Sequence, residues 1–232
     1  MKNFSNTYIF LYAAGLVIIV AAMLSFTAIQ LRPAQKKNIE NKKMQDILSS
    51  VNIESTSQTV DELYKKNISS SYIINSKGEK IEGDAFKVNL KKEKSKPIEK
   101  RELPVYECTL DDGSSAYIIP VRGKGLGGPI WGFISFKEDM NTVIGTTFDH
   151  DAETPGLGAK ITLKEFQMSF KDKQIFDESG DFVSISLLKG NKAAGNLHAV
   201  DAISGGTITS KGVDAMFKEC LKIYEPFLKK NK

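Results

Sequence analysis

Residues 204–210, near the C-terminus, combine hydroxyl groups and glycines in one short segment that reads Ser-Gly-Gly-Thr-Ile-Thr-Ser. A phosphate group needs several N–H donors aimed at one point, with little side-chain bulk in the way, and Gly205 and Gly206 leave that space. An amphipathic pattern predicts a helix over about residues 211–228, whose unpaired N–H groups would point at the same place. The hydroxyl of Thr207 is therefore a candidate for covalent attachment of a phosphate. The alternative is an ordinary helix cap, a role that serine and threonine commonly fill.

Two other segments are rich in glycine. Residues 153–158 (Glu-Thr-Pro-Gly-Leu-Gly) form a turn-rich loop that is either a plain connection or a backbone lining for a planar ligand, with Thr154 donating a hydrogen bond. Residues 123–128 resemble a dinucleotide fingerprint only loosely, because Pro129 and a strand follow where that fingerprint needs a helix. A Rossmann site is therefore rejected. Trp131, the only tryptophan, is either a core residue or a contact for an aromatic cofactor.

The composition of the 232-residue chain narrows the possible functions. Cys108 and Cys220 form no CxxC motif, and His150 and His198 are isolated, so neither an iron–sulfur site nor a metal centre is predicted. The cysteines could pair with each other only outside the cytoplasm. The net charge of +4 is modest and the lysine-rich stretches lack interleaved aromatic residues, which argues against nucleic-acid binding. No nucleophile is paired with a base, so no catalytic residue is predicted.

The N-terminal part of the chain is strongly apolar. Residues 8–31 contain no charged side chain, and a helix of about 20 such residues is long enough to cross a bilayer. The apolar core of a cleaved signal peptide has roughly 7–15 residues, so a single uncleaved transmembrane helix is predicted. The absence of ionisable groups within it indicates an anchor or a packing partner for other helices rather than part of an ion path. Basic residues after the span would, by the positive-inside rule alone, leave the rest of the chain in the cytoplasm.

The remainder of the chain is typical of an α+β fold, in which an antiparallel sheet is flanked by helices. The clearest signal is a hairpin, with strands over residues 105–110 and 115–121 that are joined by an Asp-Asp-Gly turn. Further elements are predicted as strands over 130–136, 143–150 and 182–188, a helix over 161–170 and a surface loop over 87–100.

The predicted organisation places one globular domain after the anchor. Its parts are an N-terminal tail (1–7), the transmembrane helix (8–31), a membrane-proximal helix with the start of the globular domain (32–100), and the domain that holds the three glycine-rich segments (101–232).

These segments together resemble a known family. Residues 201–207 (Asp-Ala-Ile-Ser-Gly-Gly-Thr) are similar to the flavinylation motif D-x-x-S-G-A-T of FMN-binding domains in bacterial ion-pumping reductases. Residues 153–158 resemble a second signature of that family, and residues 125–133 resemble a third. With the single N-terminal span, the pattern is similar to the NqrC family of the sodium-translocating NADH:quinone reductase, most firmly over residues 117–213.

The resemblance implies that FMN is bound covalently through a phosphoester to Thr207, and that a separate flavin transferase installs it from FAD. Two positions depart from the family, since Gly206 stands where alanine is usual and Lys211 where a smaller polar residue is common. The remaining candidate cofactor-binding or recognition residues are Asp201, Ser204, Gly205, Gly206, Glu153, Thr154, Gly156, Leu157 and Trp131.

The implied function is an electron relay among the subunits of a membrane complex, in a chain that binds neither NADH nor quinone itself. The family has its soluble domain on the periplasmic side of the bacterial inner membrane, and we prefer this placement because charge bias is only statistical. Two other hypotheses stay open. One is the FMN subunit of an Rnf-type ion-translocating oxidoreductase, which shares the flavin motif, and the other is a non-redox, membrane-anchored binding module.

Overall fold

The apolar N-terminal segment lies in one long helix, α1 (Asn6–Ser50), in a computed structural model that describes residues 5–232. Residues 1–4 of the predicted tail lie outside the described residues. Within the described range, α1 is the one helix that is long and apolar enough to cross a membrane. It continues without a break through Pro33, so the predicted transmembrane and membrane-proximal helices belong to one element. The chain divides into two units between Lys43 and Met44, and the last turns of α1 belong to the second unit.

The second unit contains an antiparallel sheet of six strands in the order β2-β1-β3-β4-β5-β6, which confirms the predicted α+β class. The predicted hairpin is present, with Thr109 opposite Ser115 across the turn. The strands are β1 (Ile68–Ile74), β2 (Lys80–Ile81), β3 (Leu103–Thr109), β4 (Ser115–Lys124), β5 (Pro129–Phe136) and β6 (Val143–His150).

Helices connect and cover these strands. The region predicted as a surface loop over residues 87–100 instead contains a short helix, because the Asn89 side chain accepts hydrogen bonds from the first N–H groups of that helix. The helix predicted over residues 161–170 is divided, since Leu163 has extended backbone angles between a 3-10 turn and a helix. The helices are α2 (Val60–Asn67), α3 (Leu90–Lys94), α4 (Lys164–Met168) and α5 (Thr207–Lys230), with 3-10 turns at Ala85–Lys87, Ile98–Lys100 and Gly158–Thr162.

A small parallel pair, β7 (Ser186–Leu188) and β8 (Ala199–Asp201), lies outside the main sheet. The prediction of a strand over residues 182–188 is wrong in its first half. Ser184 has a left-handed φ of 62°, and both its N–H and that of Val183 donate to the carbonyl of Ile175. This local turn ends the extended backbone before β7, while β8 leads directly into the 204–210 segment.

The main sheet has a separate apolar core on each face, because side chains alternate along a strand. Neighbouring residues of β4 show the alternation: Ile119 belongs to the core that contains Phe217 of α5, whereas Ile118 belongs to the core that contains Ile47 of α1. Helix α5 therefore covers one face of the sheet, and the end of α1 covers the other.

The C-terminal end of α1 has its carbonyl groups paired with the sheet. The Ser135 hydroxyl donates to the carbonyl of Ser50 at 2.5 Å, and the Thr147 hydroxyl donates to the carbonyl of Asp46 at 3.1 Å. Asn52, with a left-handed φ of 62°, then turns the chain away. The Ser135 bond satisfies an acceptor that the helix end leaves open, and the Thr147 bond joins the last turns of α1 to the sheet.

Helix α5 begins at Thr207, about four residues before its predicted start. The predicted apolar stripe is confirmed, and the helix continues past Pro226 to Lys230. Its first turns lie close to the end of β4. A Cβ atom added to Gly212 would come within 3.2 Å of the Gly125 Cα atom, so glycine permits this close approach. The buried apolar residues of α5 are Val213, Met216, Phe217, Leu221, Tyr224, Phe227 and Leu228.

Both cysteines are free, so the pairing that the sequence left open does not occur in this structure. Cys108 is buried in the core beneath the end of α1, whereas Cys220 packs against the core beneath α5. Burial raises the pKa of Cys108 to about 11 and also raises the pKa of Cys220. Because the thiolate is the reactive form, both thiols are expected to be inert at neutral pH.

Candidate functional site

Thr207 is the first residue of α5, and Gly206 occupies the cap position without a side chain that could cap the helix. The hydroxyls of the 204–210 segment therefore do not act as ordinary caps, and that alternative is wrong. The first hydrogen bond that closes the helix runs from the Ser210 N–H to the Gly206 carbonyl at 2.8 Å. The N–H groups of the first three helical residues precede this bond, so they stay open at the positive end of the helix dipole.

The chain that leads into Thr207 is fixed by bonds from inside the protein. The Ser210 hydroxyl accepts a hydrogen bond from the Ile203 N–H at 3.0 Å, and the Asp201 carboxylate accepts one from the Ala193 N–H at 3.1 Å. Ser204 is exposed, and its hydroxyl takes part in none of the hydrogen bonds found among residues 5–232. The segment is thus anchored on both sides of a short exposed turn.

Leu157 of the 153–158 loop packs against the glycines of the 204–210 segment. Gly205 has a φ of +75°, in the left-handed region that favours glycine, and a Cβ atom there would lie 2.7 Å from Leu157 Cδ2. A Cβ atom on Gly206 would lie 3.4 Å from the Leu157 carbonyl oxygen and 2.9 Å from Ile203 Cγ2. Two segments that are distant in sequence therefore form one surface.

The Glu153 carboxylate joins the third segment to the other two. Its Oε2 atom accepts a hydrogen bond from the Thr209 hydroxyl at 2.6 Å, and its Oε1 atom accepts one from the Gly127 N–H at 2.8 Å. Glu153 is only 5% exposed. Cβ atoms on Gly125 and Gly158 would each come within 3.0 Å of Glu153 Cδ, so glycine is required on both sides of the carboxylate.

Each of the three segments also presents one exposed aliphatic side chain. Leu126 is 63% exposed, Leu157 is 43% exposed and Ile208, next to Thr207, is 55% exposed. Exposed apolar groups that recur around one place commonly mark a ligand or partner site. The surroundings of Thr207 therefore combine open N–H donors with apolar surface.

The remaining candidates divide between exposed and distant positions. Thr154 and Gly156 lie exposed in the turn of the 153–158 loop, with Gly156 at a φ of +77°. Trp131 follows Ile130, which packs on the α5 side, so alternation directs Trp131 to the opposite face of the sheet. There the Arg122 guanidinium lies 5.6 Å from its ring centre. The structure brings the glycines, Leu157 and Glu153 to Thr207, but it does not bring Trp131 to that side.

Sequence reasoning placed Thr209 among the hydroxyls that could face a phosphate, whereas in the structure its hydroxyl turns inward to Glu153. It missed Gly127 and Ile208 as parts of this site. The roles of Gly127 and Ile208 depend on contacts between distant segments, which no local pattern indicates.

A comparison with protein-family models supports a specific cofactor. Residues 125–222 match the family described as the FMN-binding domain. The matched range includes the 125–128 loop, the 153–158 loop and the 204–210 segment. All three segments that meet at Glu153 therefore lie within the matched domain.

Relatives of known function resemble most of the chain. The NqrC subunit of the Na(+)-translocating NADH-quinone reductase of Vibrio vulnificus (strain YJ016) is 30% identical over 219 residues, which cover 88% of this chain and 86% of that protein. The corresponding protein of Vibrio parahaemolyticus is 31% identical over 224 residues, which cover 88% and 85%. That of Chlamydia muridarum is 42% identical over a shorter stretch of 126 residues, or 48% and 39%.

Two solved structures share the fold. The NqrC subunit of the Na(+)-translocating NADH-quinone reductase from Parabacteroides distasonis superposes with a TM-score of 0.79 at 43% identity, covering 85% of this chain and 96% of that chain. NqrC of Shewanella oneidensis superposes with a TM-score of 0.73 at 25% identity, covering 83% and 98%. The chain therefore belongs to the NqrC family of the Na+-translocating NADH-quinone reductases and contains its FMN-binding domain.

Proposed function

We propose that the chain relays electrons within a Na+-translocating NADH-quinone reductase through FMN attached covalently to Thr207. The observation that carries this proposal is the open first turn of α5, where a hydroxyl at the first helical position stands beside unpaired N–H groups. The match to the FMN-binding domain supports the cofactor, and the relatives support the complex. Both weigh against a non-redox binding module, and the relatives named above weigh against an Rnf-type complex.

The residues around Thr207 fit a phosphoester. Gly205 and Gly206 place no side chain over the start of α5, and the helix dipole and open N–H groups favour a negative group there. Lys211 is exposed one helical turn after Thr207, on the same side of α5, and would partly neutralise the phosphate charge.

The neighbouring surface fits the ring system of FMN. A planar, largely apolar group needs aliphatic contacts, and Leu126, Leu157 and Ile208 are exposed in the three segments that meet at Glu153. Each of these side chains gains apolar burial when such a group covers it. We therefore assign the ring contacts to these residues rather than to Trp131, with Thr154 and Gly156 at the exposed turn of the 153–158 loop.

Attachment requires a second protein, because the chain provides no base for Thr207. The Thr207 hydroxyl takes part in none of the hydrogen bonds found within the described residues. In the proposed step, Thr207 Oγ1 bonds to the phosphorus of the FMN half of FAD and the bond from that phosphorus to the bridging oxygen breaks. AMP leaves, and the hydroxyl proton passes to a base of a separate flavin transferase. Exposed Ser204 and half-buried Asp201 are positioned to be recognised by that enzyme.

Once attached, FMN supplies the transfer of one or two electrons. The covalent link at Thr207 keeps the cofactor from dissociating, and the apolar surface limits its orientations. The glycine-rich segment at residues 123–128 is followed by Pro129 and a strand rather than by the helix that a dinucleotide fingerprint requires, so in this proposal NADH and quinone react on other subunits.

For the membrane arrangement, we propose residues 8–31 as a single span, residues 101–232 as the FMN-carrying domain and the bacterial periplasm as its location. The basic flank that includes Arg32 and Lys36 opposes this orientation, while the family placement supports it. Alkaline phosphatase fused to the C-terminus should be active in intact cells. An inactive fusion of normal abundance would overturn the periplasmic placement.

In-gel fluorescence tests the covalent attachment. The full chain, co-expressed with its flavin transferase, should give an ultraviolet-excited fluorescent band under denaturing conditions. Thr207→Ala should abolish the band because the attacking oxygen is lost, and Thr207→Ser should retain part of it. Thr162→Ala is a matched control, since Thr162 is exposed and its hydroxyl bonds only within its own turn.

Two outcomes of this experiment would contradict the proposal. One is a wild-type chain without fluorescence despite active transferase, and the other is a Thr207→Ala variant that keeps the band. Mass spectrometry of the peptide that contains residue 207 would identify the modified residue directly.

A further inference from the structure

We propose that Glu153 is a positioning residue, which fixes the first turn of α5 for attachment at Thr207 and does not itself contact the flavin. This inference rests on the proposed attachment site. It differs from the expectation drawn from sequence resemblance, in which Glu153 is one of the residues around the cofactor.

The first argument is the direction of the carboxylate. Glu153 is 5% exposed, and each of its oxygens accepts a hydrogen bond from within the protein. The residues that could contact a ligand are the exposed Thr154 and Gly156 in the turn that follows Glu153. The Glu153 carboxylate instead points into the space between the three segments. A buried carboxylate with both oxygens in internal hydrogen bonds fixes the positions of the groups that donate to it.

The second argument is the position of Thr209. It lies in the same helical turn as Thr207, and its hydroxyl donates to Glu153 Oε2 at 2.6 Å. Since Gly206 contributes no capping side chain, this bond is one of the few that hold the start of α5. The bond fixes the rotation of the first turn about the helix axis, and hence the direction of the Thr207 hydroxyl.

The third argument is that the same carboxylate fixes the apolar surface. Glu153 Oε1 accepts the Gly127 N–H, which holds the loop that carries Leu126. Glu153 also begins the loop that carries Leu157, which lies against Gly205. One side chain therefore sets the position of the attachment hydroxyl relative to two of the exposed aliphatic groups.

A series of variants at both ends of the Glu153–Thr209 bond tests the role in the full chain co-expressed with transferase. Glu153→Ala removes both acceptors and should lower the rate of flavinylation about tenfold or more, because two buried donors lose their partner. Glu153→Gln keeps an acceptor for Gly127 and offers an N–H to Thr209, so it should restore most of that rate. Thr209→Val should fall between them, and Thr209→Ser should match the wild type.

The readouts separate positioning from loss of folding. Flavinylation is divided by the folded fraction, which near-ultraviolet circular dichroism of the unlabelled chain provides, and visible circular dichroism of the labelled protein reports the surroundings of the flavin. Glu153→Ala and Thr209→Val should change the visible spectrum in the same direction. Glu165→Gln is the matched control, since Glu165 is an exposed carboxylate on α4.

Each result has a distinct meaning. The positioning role is overturned if Glu153→Ala is labelled at the wild-type rate with an unchanged visible spectrum, or if its loss only follows the folded fraction. It is also overturned if Glu153→Gln is as defective as Glu153→Ala while folded, since that result indicates a charge that contacts the cofactor. Labelling that persists in Thr207→Ala contradicts the proposed function instead, whatever the Glu153 variants do.

Discussion

The end of α1 and the start of α5 lie on opposite faces of the same sheet. They differ in whether the backbone groups at the helix terminus are hydrogen-bonded to the rest of the protein. At the end of α1, hydroxyls from two adjacent strands, Ser135 and Thr147, reach the helix carbonyls. At the start of α5, the hydroxyls of Thr209 and Ser210 turn into the protein and leave the first N–H groups unpaired. We call the end of α1 the closed terminus, because these carbonyls are hydrogen-bonded to the sheet. We call the start of α5 the open terminus, because its first N–H groups have no partner among the described residues.

The difference separates a terminus that only stabilises the fold from the proposed ligand site, although the two have similar chemistry. Both termini use short hydroxyl side chains and closely packed glycines, so neither composition nor burial distinguishes them. At Gly145, a Cβ atom would lie 2.6 Å from the Ser50 carbonyl oxygen, whereas at Gly205 the nearest group is the flexible end of the Leu157 side chain. Unpaired groups at a helix N-terminus favour an anion, and Thr207 stands where an anion would bind.

Ser135→Ala should have the largest effect on stability, because it breaks the closed terminus. The Ser50 carbonyl would lose its partner in a buried place, which costs about 1–3 kcal/mol in the free energy of unfolding. Chemical denaturation of the detergent-solubilised chain measures this loss. Flavinylation per folded molecule should not change, because the open terminus is intact.

Ser179→Ala provides the control for that experiment. Ser179 is exposed, and its replacement should change the free energy of unfolding by less than about 0.5 kcal/mol. Equal losses in the two variants would show that the pairing of the Ser50 carbonyl contributes nothing specific.

Gly205→Ala should break the open terminus, with the second largest effect. A side chain at a φ of +75° costs about 1–2 kcal/mol, and its Cβ atom would displace Leu157. We expect flavinylation per folded molecule to fall about tenfold. Gly113→Ala is the matched control, because Gly113 has a φ of +83° with no atom within 4 Å of the added Cβ. A comparable fall in labelling of Gly113→Ala would mean that backbone strain, and not the contact with Leu157, is responsible.

Gly206→Ala should have the smallest effect on flavinylation, and it shows which of the two glycines the open terminus needs. Gly206 has an ordinary φ of −104°, and the added Cβ would lie 2.9 Å from Ile203 Cγ2, so that the Ile203 side chain would have to shift. The reduced flexibility of the unfolded chain offsets this cost by about 0.4–1 kcal/mol. We expect the labelling rate to change by less than about twofold. A loss as large as that of Gly205→Ala would show that the space above Gly206 is also needed for attachment.

Local patterns predicted the parts of this molecule that depend on neighbouring residues. The hairpin around Asp111 and the apolar stripe of α5 follow from turn chemistry and periodicity, and both are confirmed. The start of α5 was predicted too late, because the hydroxyls of the 204–210 segment suggest residues that precede a helix. In the structure, Gly206 occupies the cap position without a capping side chain, and the Thr209 and Ser210 hydroxyls bond within the protein instead.

Other features depend on contacts that no local pattern contains. The Glu153–Thr209 bond joins residues 56 positions apart, so the resemblance identified Glu153 without indicating that its carboxylate points inward. Trp131 was a reasonable contact for a ring, but the alternation of β5 directs it away from α5. Whether a residue of a glycine-rich segment binds a ligand or supports one is decided by such long-range contacts.

The separation of the two cysteines has a consequence for how the chain matures. Cys108 and Cys220 pack on opposite faces of the sheet, so an internal disulfide cannot form without disrupting the fold. Folding of this unit therefore needs no thiol oxidase or disulfide isomerase. A cross-link between the two would trap a misfolded chain. Migration on a non-reducing gel thus reports folding quality, with the native protein running at the same position with or without reductant.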